Sequence, residues 1–167
     1  MDSLRLEQTV LLMNEEIELL KSLKRTLEEQ KQLIFQTDVS RFTDNIRLED
    51  ELLKKIKVVD QERLVIMNQL GREHNIDSQL TITRLIELVS EPFKIKMKTI
   101  KTIFTRLIEE IRQLNIENRF LVKKSMVFVQ KNLSVLKDFT KNDYVYSMNG
   151  GYGNVITPVK RLVDTSI

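Results

Sequence analysis

The sequence predicts an all-α protein: an elongated antiparallel helical bundle or coiled coil of three long helices plus one short helix, with a mobile C-terminal tail. Three observations predict it. From Phe93 to Phe139 one stripe recurs at steps of four and three for nearly seven heptads, with no glycine or proline inside the run. The whole 167-residue chain holds only four glycines and two prolines, too few turn formers for much besides helix. Charged residues make up 31% and are mixed in sign, as the solvated outer faces of a bundle require.

The first helix is expected from about Asp2 to Gln36. Its stripe runs through Leu6, Val10, Met13, Ile17 and Leu20, then through Leu23, Leu27 and Ile34 after a three-residue slip that overwinds the seam locally. Thr37-Asp38-Val39-Ser40 is a short polar break, and Asp38 can cap the next helix by accepting a bond from a free backbone N–H. So short a break folds the second helix back antiparallel. That helix, about Val39 to Leu70, carries Phe42, Ile46, Leu53, Ile56, Met67 and Leu70, with Leu52, Val59 and Ile66 broadening the stripe; Gly71 is read as its left-handed stop.

Arg72 to Ser78 is a polar connector, and Leu80 to Val89 a short apolar helix suited to lie across a bundle end. Ser90-Glu91-Pro92 restarts the chain, since serine caps helices and proline is tolerated in a first turn. The last helix carries Phe93, Met97, Ile100, Phe104, Leu107, Ile111, Leu114, Asn118, Leu121, Ser125, Phe128, Asn132, Val135 and Phe139 on one stripe. At about 1.5 Å per residue it is roughly 70 Å long and outruns its partners. Polar Asn118, Ser125 and Asn132 take every second seam place in its distal half, so that half should hold its neighbours less tightly. Asn118 and Asn132 either set register or touch a bound partner, and register is the role preferred. The bundle is thus assigned to residues 1–139 and a flexible tail to 140–167.

That tail holds three of the four glycines and all three tyrosines. Val155 or Ile156 with Val159, Leu162 and Val163 forms a short amphipathic segment, marginal alone and completed by a partner. Tyr146, in a glycine-rich setting, suits an interface better than a core.

Composition narrows the function classes. The net charge is +3, with 11 Lys/Arg and 14 Asp/Glu in residues 1–70 against 16 and 10 beyond. Lys94, Lys96, Lys98 and Lys101 scatter around their helix with few aromatics, so no nucleic acid is expected. No signal peptide opens the chain and no run approaches the roughly 20 apolar residues of a membrane span, which points to a cytoplasmic protein without stable membrane insertion. Cysteine is absent and His74 stands alone in the connector, so no metal site and no cofactor are expected. Adjacent acids such as Glu15-Glu16 point about 100° apart on a helix and form no catalytic pair. Gly150-Gly151-Tyr152-Gly153 lacks the lysine and the strand of a phosphate loop. The expectation is a binding protein and not an enzyme.

Several stretches together resemble the FlgN family of flagellar export chaperones. Asp38 leads into a second helix containing Asp60-Gln61-Glu62-Arg63 and Leu70-Gly71, and Leu114-Asn115-Ile116-Glu117-Asn118-Arg119-Phe120-Leu121 is similar to the family's L-x-x-x-N-x-x-L stretch. Tyr146-Ser147-Met148-Asn149-Gly150 is similar to its Y-x-x-x-G tail motif, and Leu162-Val163-Asp164 to its closing apolar segment. The resemblance implies a cytoplasmic chaperone that keeps hook-filament junction proteins (FlgK/FlgL type) unassembled and delivers them to the type III export apparatus. It implies that Tyr146 and Gly150 meet the cytoplasmic domain of the export gate (FlhA type), with Tyr144 and Tyr152 as competing tyrosines. It further implies that Val155, Ile156, Val159, Leu162 and Val163 bind cargo; from the spacing alone, the seam positions Asn118, Leu121, Ser125, Phe128 and Asn132 are expected to be able to join them. The rivals are a self-associating coiled-coil scaffold without chaperone activity and a peripheral membrane binder using Val155 to Ile167 with Lys160 and Arg161.

Overall fold

Heptad positions and caps place each helix before tertiary packing is considered. A computed structural model describes residues 3–76 and 80–141, with side chains as far as Val135. It divides into two units, Met1–Val127 and Phe128–Ile167. The described residues form α1 (Ser3–Gln36), α2 (Val39–Glu73), α3 (Ile82–Leu88) and α4 (Phe93–Lys141). The fold is all-α, three long helices and one short, as the sequence predicts.

Helix α1 ends in a Schellman motif. The Asp38 N–H donates to the Leu33 carbonyl and that of Thr37 to Ile34, which forces Thr37 to a φ of 57°. A β-branched residue is costly there. Asp38 then starts α2, its carboxylate accepting from the Arg41 N–H at 3.1 Å. The reading of Gly71 as the stop of α2 is corrected: the helix continues to Glu73. Asn75 takes the left-handed position at φ 52°, with Ile76 donating to the Gly71 carbonyl. Gly71 is buried, and a Cβ there would meet the Cβ of Leu80 at 3.5 Å, an ordinary contact. Thr81 caps α3 through the Arg84 N–H. The Glu91–Pro92 bond is cis, and Pro92 precedes α4 instead of standing in its first turn.

Cross-helix pairs fix the directions within the first unit. Arg5 pairs with Glu73, Arg63 with Glu16 and Gln30 with Glu49, so α2 runs antiparallel to α1. Lys24 pairs with Glu110 and Lys31 with Glu117, so α4 runs parallel to α1. A contiguous apolar core joins Leu6 through Leu27 of α1 to Leu52, Met67 and Leu70 of α2 and to Met97, Ile100, Leu107 and Ile111 of α4. Leu80, Leu85, Ile86 and Val89 close it.

Two seam assignments shift by one residue. Ile46 and Leu53 are exposed, because the buried line of α2 runs through Asn45, Leu52, Val59 and Arg63. In α1, Leu33 is buried where Ile34 was expected. In each case a polar residue occupies a seam position, which draws an apolar-only reading of the sequence onto the neighbouring register.

Candidate functional site: the uncovered face of α4

Seam positions of α4 change environment along its length. Met97, Ile100, Leu107, Ile111 and Asn118 are buried, and Leu114 and Leu121 are half-buried. Ser125 is exposed although it continues the same line. The cause lies in α1, which stops at Gln36. Among the described residues its last hydrogen bonds to α4 are Lys31 to Glu117 at 2.8 Å and those of the Asn118 amide, which donates to the Leu27 carbonyl at 2.8 Å and to the Gln30 side-chain oxygen at 3.2 Å.

Gln30 itself donates to Glu49 of α2, so one hydrogen-bonded layer crosses α4, α1 and α2 above the apolar core. Asn118 is only 5% exposed, yet its side-chain oxygen has no partner, and such an orphaned acceptor weakens the layer. The Glu117 carboxyl is held below its usual range by hydrogen bonds from Lys31 and Gln113. The Lys24 ammonium is raised by its bond to Glu110. Both effects favour the charged forms that join α4 to α1.

Beyond this layer α4 shows large apolar side chains to solvent. In the first unit these are Ile116, Phe120, Met126 and Val127. Ile116, Phe120 and Val127 share the face turned away from the seam. Taken by itself, the described helix of the second unit exposes Phe128 (67%), Val129, Leu133 and Val135 (51%). Exposed apolar surface so concentrated marks a place for another protein.

Asn118 and Leu121 therefore belong to the packed seam, and Ser125 beyond them is exposed; in the second unit, taken by itself, Phe128 and Asn132 are exposed. Tyr146, Gly150, Val155, Ile156, Val159, Leu162 and Val163 lie outside the described residues. The sequence reading missed the outward Ile116 and Phe120 and the breadth of the apolar surface around Met126 to Val129. Four consecutive apolar residues cannot share one seam, and that signal was available.

Two other features were weighed. A shallow groove of about 490 Å³ between α1 and α2 is lined by Gln8, Leu11, Leu12, Glu62, Val65 and Ile66. The second is a buried ion pair, Arg63 donating to Glu16 at 3.0 Å with Asp60 beside it. Burial pushes the Glu16 carboxyl above its ordinary value despite the attraction of Arg63. The pair joins α1 to α2. His74 is the exposed C-cap of α2, and among the described residues no three metal-ligating side chains converge.

The family model of the FlgN protein matches residues 1–154. The chain belongs to the FlgN family. FlgN proteins are flagellar export chaperones and not an enzyme family, so this chain acts in flagellum biogenesis by binding flagellar proteins. The match covers all four helices and the Tyr146 motif, and it ends just before the closing amphipathic segment. No curated protein and no solved structure matches the chain. Among the described residues no helix is long and apolar enough to cross a membrane.

Proposed function

We propose that the chain is a cytoplasmic type III export chaperone that binds hook-filament junction proteins, prevents their premature assembly and delivers them to the export apparatus. One observation carries the reading: the α4 seam is covered as far as Leu121 and uncovered from Ser125. Helical termini that self-assemble carry apolar stripes, and such a stripe can complete an uncovered seam. Burying a leucine-sized side chain contributes about 1.5–3 kcal/mol, so several such contacts reach micromolar affinity after ordering costs.

The tail supplies the remaining parts of the proposal. Val155, Ile156, Val159, Leu162 and Val163 extend the client site, and Tyr146 with Gly150 meets the cytoplasmic domain of the export gate. This division of roles is supported by the resemblance of the Tyr146 motif to the family's tail motif.

Pull-down with purified junction proteins and the export-gate domain tests it. The double variant Phe128→Ser, Val135→Ser should lose the junction proteins, while Tyr146→Ala should keep them and lose the gate. Undiminished capture of junction proteins by the double variant would overturn the assignment. Self-association through the same face instead gives a stable dimer in sedimentation, which the double substitution would dissolve.

A further inference from the structure

The groove between α1 and α2 is an apolar trough with an acidic rim. All the residues that line it belong to these two helices, inside the first unit. Leu12 and Ile66 are half-buried in it, while Leu11 is 67% exposed and Val65 56%. Leu19 and Val58, each one heptad along from Leu12 and Val65, extend the apolar line. At about 1.5 Å per residue, the stretch from Gln8 to Leu19 is roughly 17 Å long, about three helical turns.

Charge decides what can cover this trough. From Leu6 to Leu20, α1 holds four Glu and no Lys or Arg. Arg63 is the one cation of α2 between Val59 and Leu70, and it is already bonded to Glu16 and Asp60. The Arg63–Glu16 pair sets the neighbouring Glu62 and Glu15 at one level on the two helices, and both are exposed. Glu62 lines the groove, and Glu15 follows Leu11 and Leu12 at steps of four and three. Neither makes an ion pair among the described residues. Lys21 and Lys55 end the acidic stretch.

We infer that this groove is a docking site for an amphipathic helix of another protein, its apolar stripe in the trough and a Lys or Arg on each edge at the level of Glu15 and Glu62. The inference goes beyond the client reading of α4 and does not depend on it. A trough between two antiparallel helices receives a third along its length, with anchors at helical spacing. Cationic edges find a carboxylate on each wall, and anionic edges are repelled by both. The same carboxylates select against a second copy docked by this face, since a two-fold contact brings the two acidic rims together. They also select against an anionic lipid surface.

Two synthetic peptides, each about three heptads long with the same leucine seam, test the inference. One carries Lys at the central flanking position of each edge and the other Glu, with Gln at the remaining flanks. Binding to the full chain is read by fluorescence anisotropy. The Lys peptide should bind about tenfold more tightly than the Glu peptide, since two exposed pairs change from repulsion to attraction. The double variant Glu15→Lys, Glu62→Lys should reverse the order, and Glu15→Gln, Glu62→Gln should abolish the preference. Leu11→Ser, Val65→Ser should weaken the Lys peptide about tenfold or more, because both apolar walls are lost. All four side chains are exposed, and circular dichroism checks that the helices persist. Equal affinities, a preference that survives the reversal, or undiminished binding by Leu11→Ser, Val65→Ser would overturn the inference. So would a dimer of the free chain in sedimentation, or co-sedimentation with phosphatidylglycerol vesicles, that the same serine variant abolishes.

Discussion

Replacing Arg63 with Met removes the cation paired with the buried Glu16 carboxylate while keeping most of the packing of its stem. Glu16 is 3% exposed and Arg63 8%. Without the guanidinium, Glu16 is left either charged and unpaired, at a cost of about 3–5 kcal/mol, or protonated. Protonation sets the ceiling. For a carboxyl of ordinary value 4.5, it costs about 3.4 kcal/mol at pH 7 and about 0.7 at pH 5. The variant should therefore lose about 3 kcal/mol at pH 7, a large share of a typical domain's 5–15. Most of that loss should return by pH 5.

The sign follows from linkage. The folded Glu16 value lies above the unfolded one, so the folded state binds more protons between the two values. Stability then falls as pH rises through that window. Wild type shares the direction, because burial already outweighs Arg63 there, but with a smaller slope. Urea unfolding followed by circular dichroism at both pH values, with wild type in parallel, cancels the carboxylates common to the two proteins. A loss under about 1 kcal/mol that does not vary with pH would refute the buried-carboxylate reasoning. The double change Glu16→Leu, Arg63→Met should recover wild-type stability or exceed it.

Three further outcomes follow from burial and backbone geometry. Leu27→Ala, at a side chain 1% exposed in the central core, should cost about 2–5 kcal/mol in urea unfolding, whereas Leu133→Ala, at 52%, should cost under about 0.5. Thr37→Asn should raise stability by a few tenths to about 1 kcal/mol, because asparagine tolerates the left-handed conformation that threonine resists; a lower unfolding midpoint would contradict this. Deleting residues 155–167 should abolish capture of junction proteins while leaving helical content almost unchanged by circular dichroism, and retained affinity would refute the role given to that segment.

The fold was legible wherever apolar residues held the seam. The stripe from Met97 to Leu121 follows the line read from the sequence, and Asp38 caps α2 as its side chain requires. The reading failed where polar residues occupy buried seam positions. Asn45 and Arg63 moved the apparent α2 line onto Ile46 and Leu53, and Glu16 gave no sign that a cation two helical faces away would pair with it. Gly71 illustrates a different limit: a glycine near a helix end suggests a left-handed stop, yet the chain takes that conformation at Asn75.

The candidate site was legible in part. The alternating Asn118, Ser125 and Asn132 announced a weakened distal seam, yet not that cover would end between Leu121 and Ser125. That depends on where α1 ends relative to α4, a register fixed by Lys24, Lys31 and their carboxylate partners.

The central claim is that the seam beyond Leu121 stands open until a client helix covers it. Amide hydrogen exchange along α4, with and without a purified junction protein, tests this most directly. The account predicts fast exchange beyond Leu121 in the free chain and strong protection of that stretch on binding, with Met97 to Ile111 slow in both states. Slow exchange beyond Leu121 in the free chain, or binding that protects only α1 and α2, would contradict it.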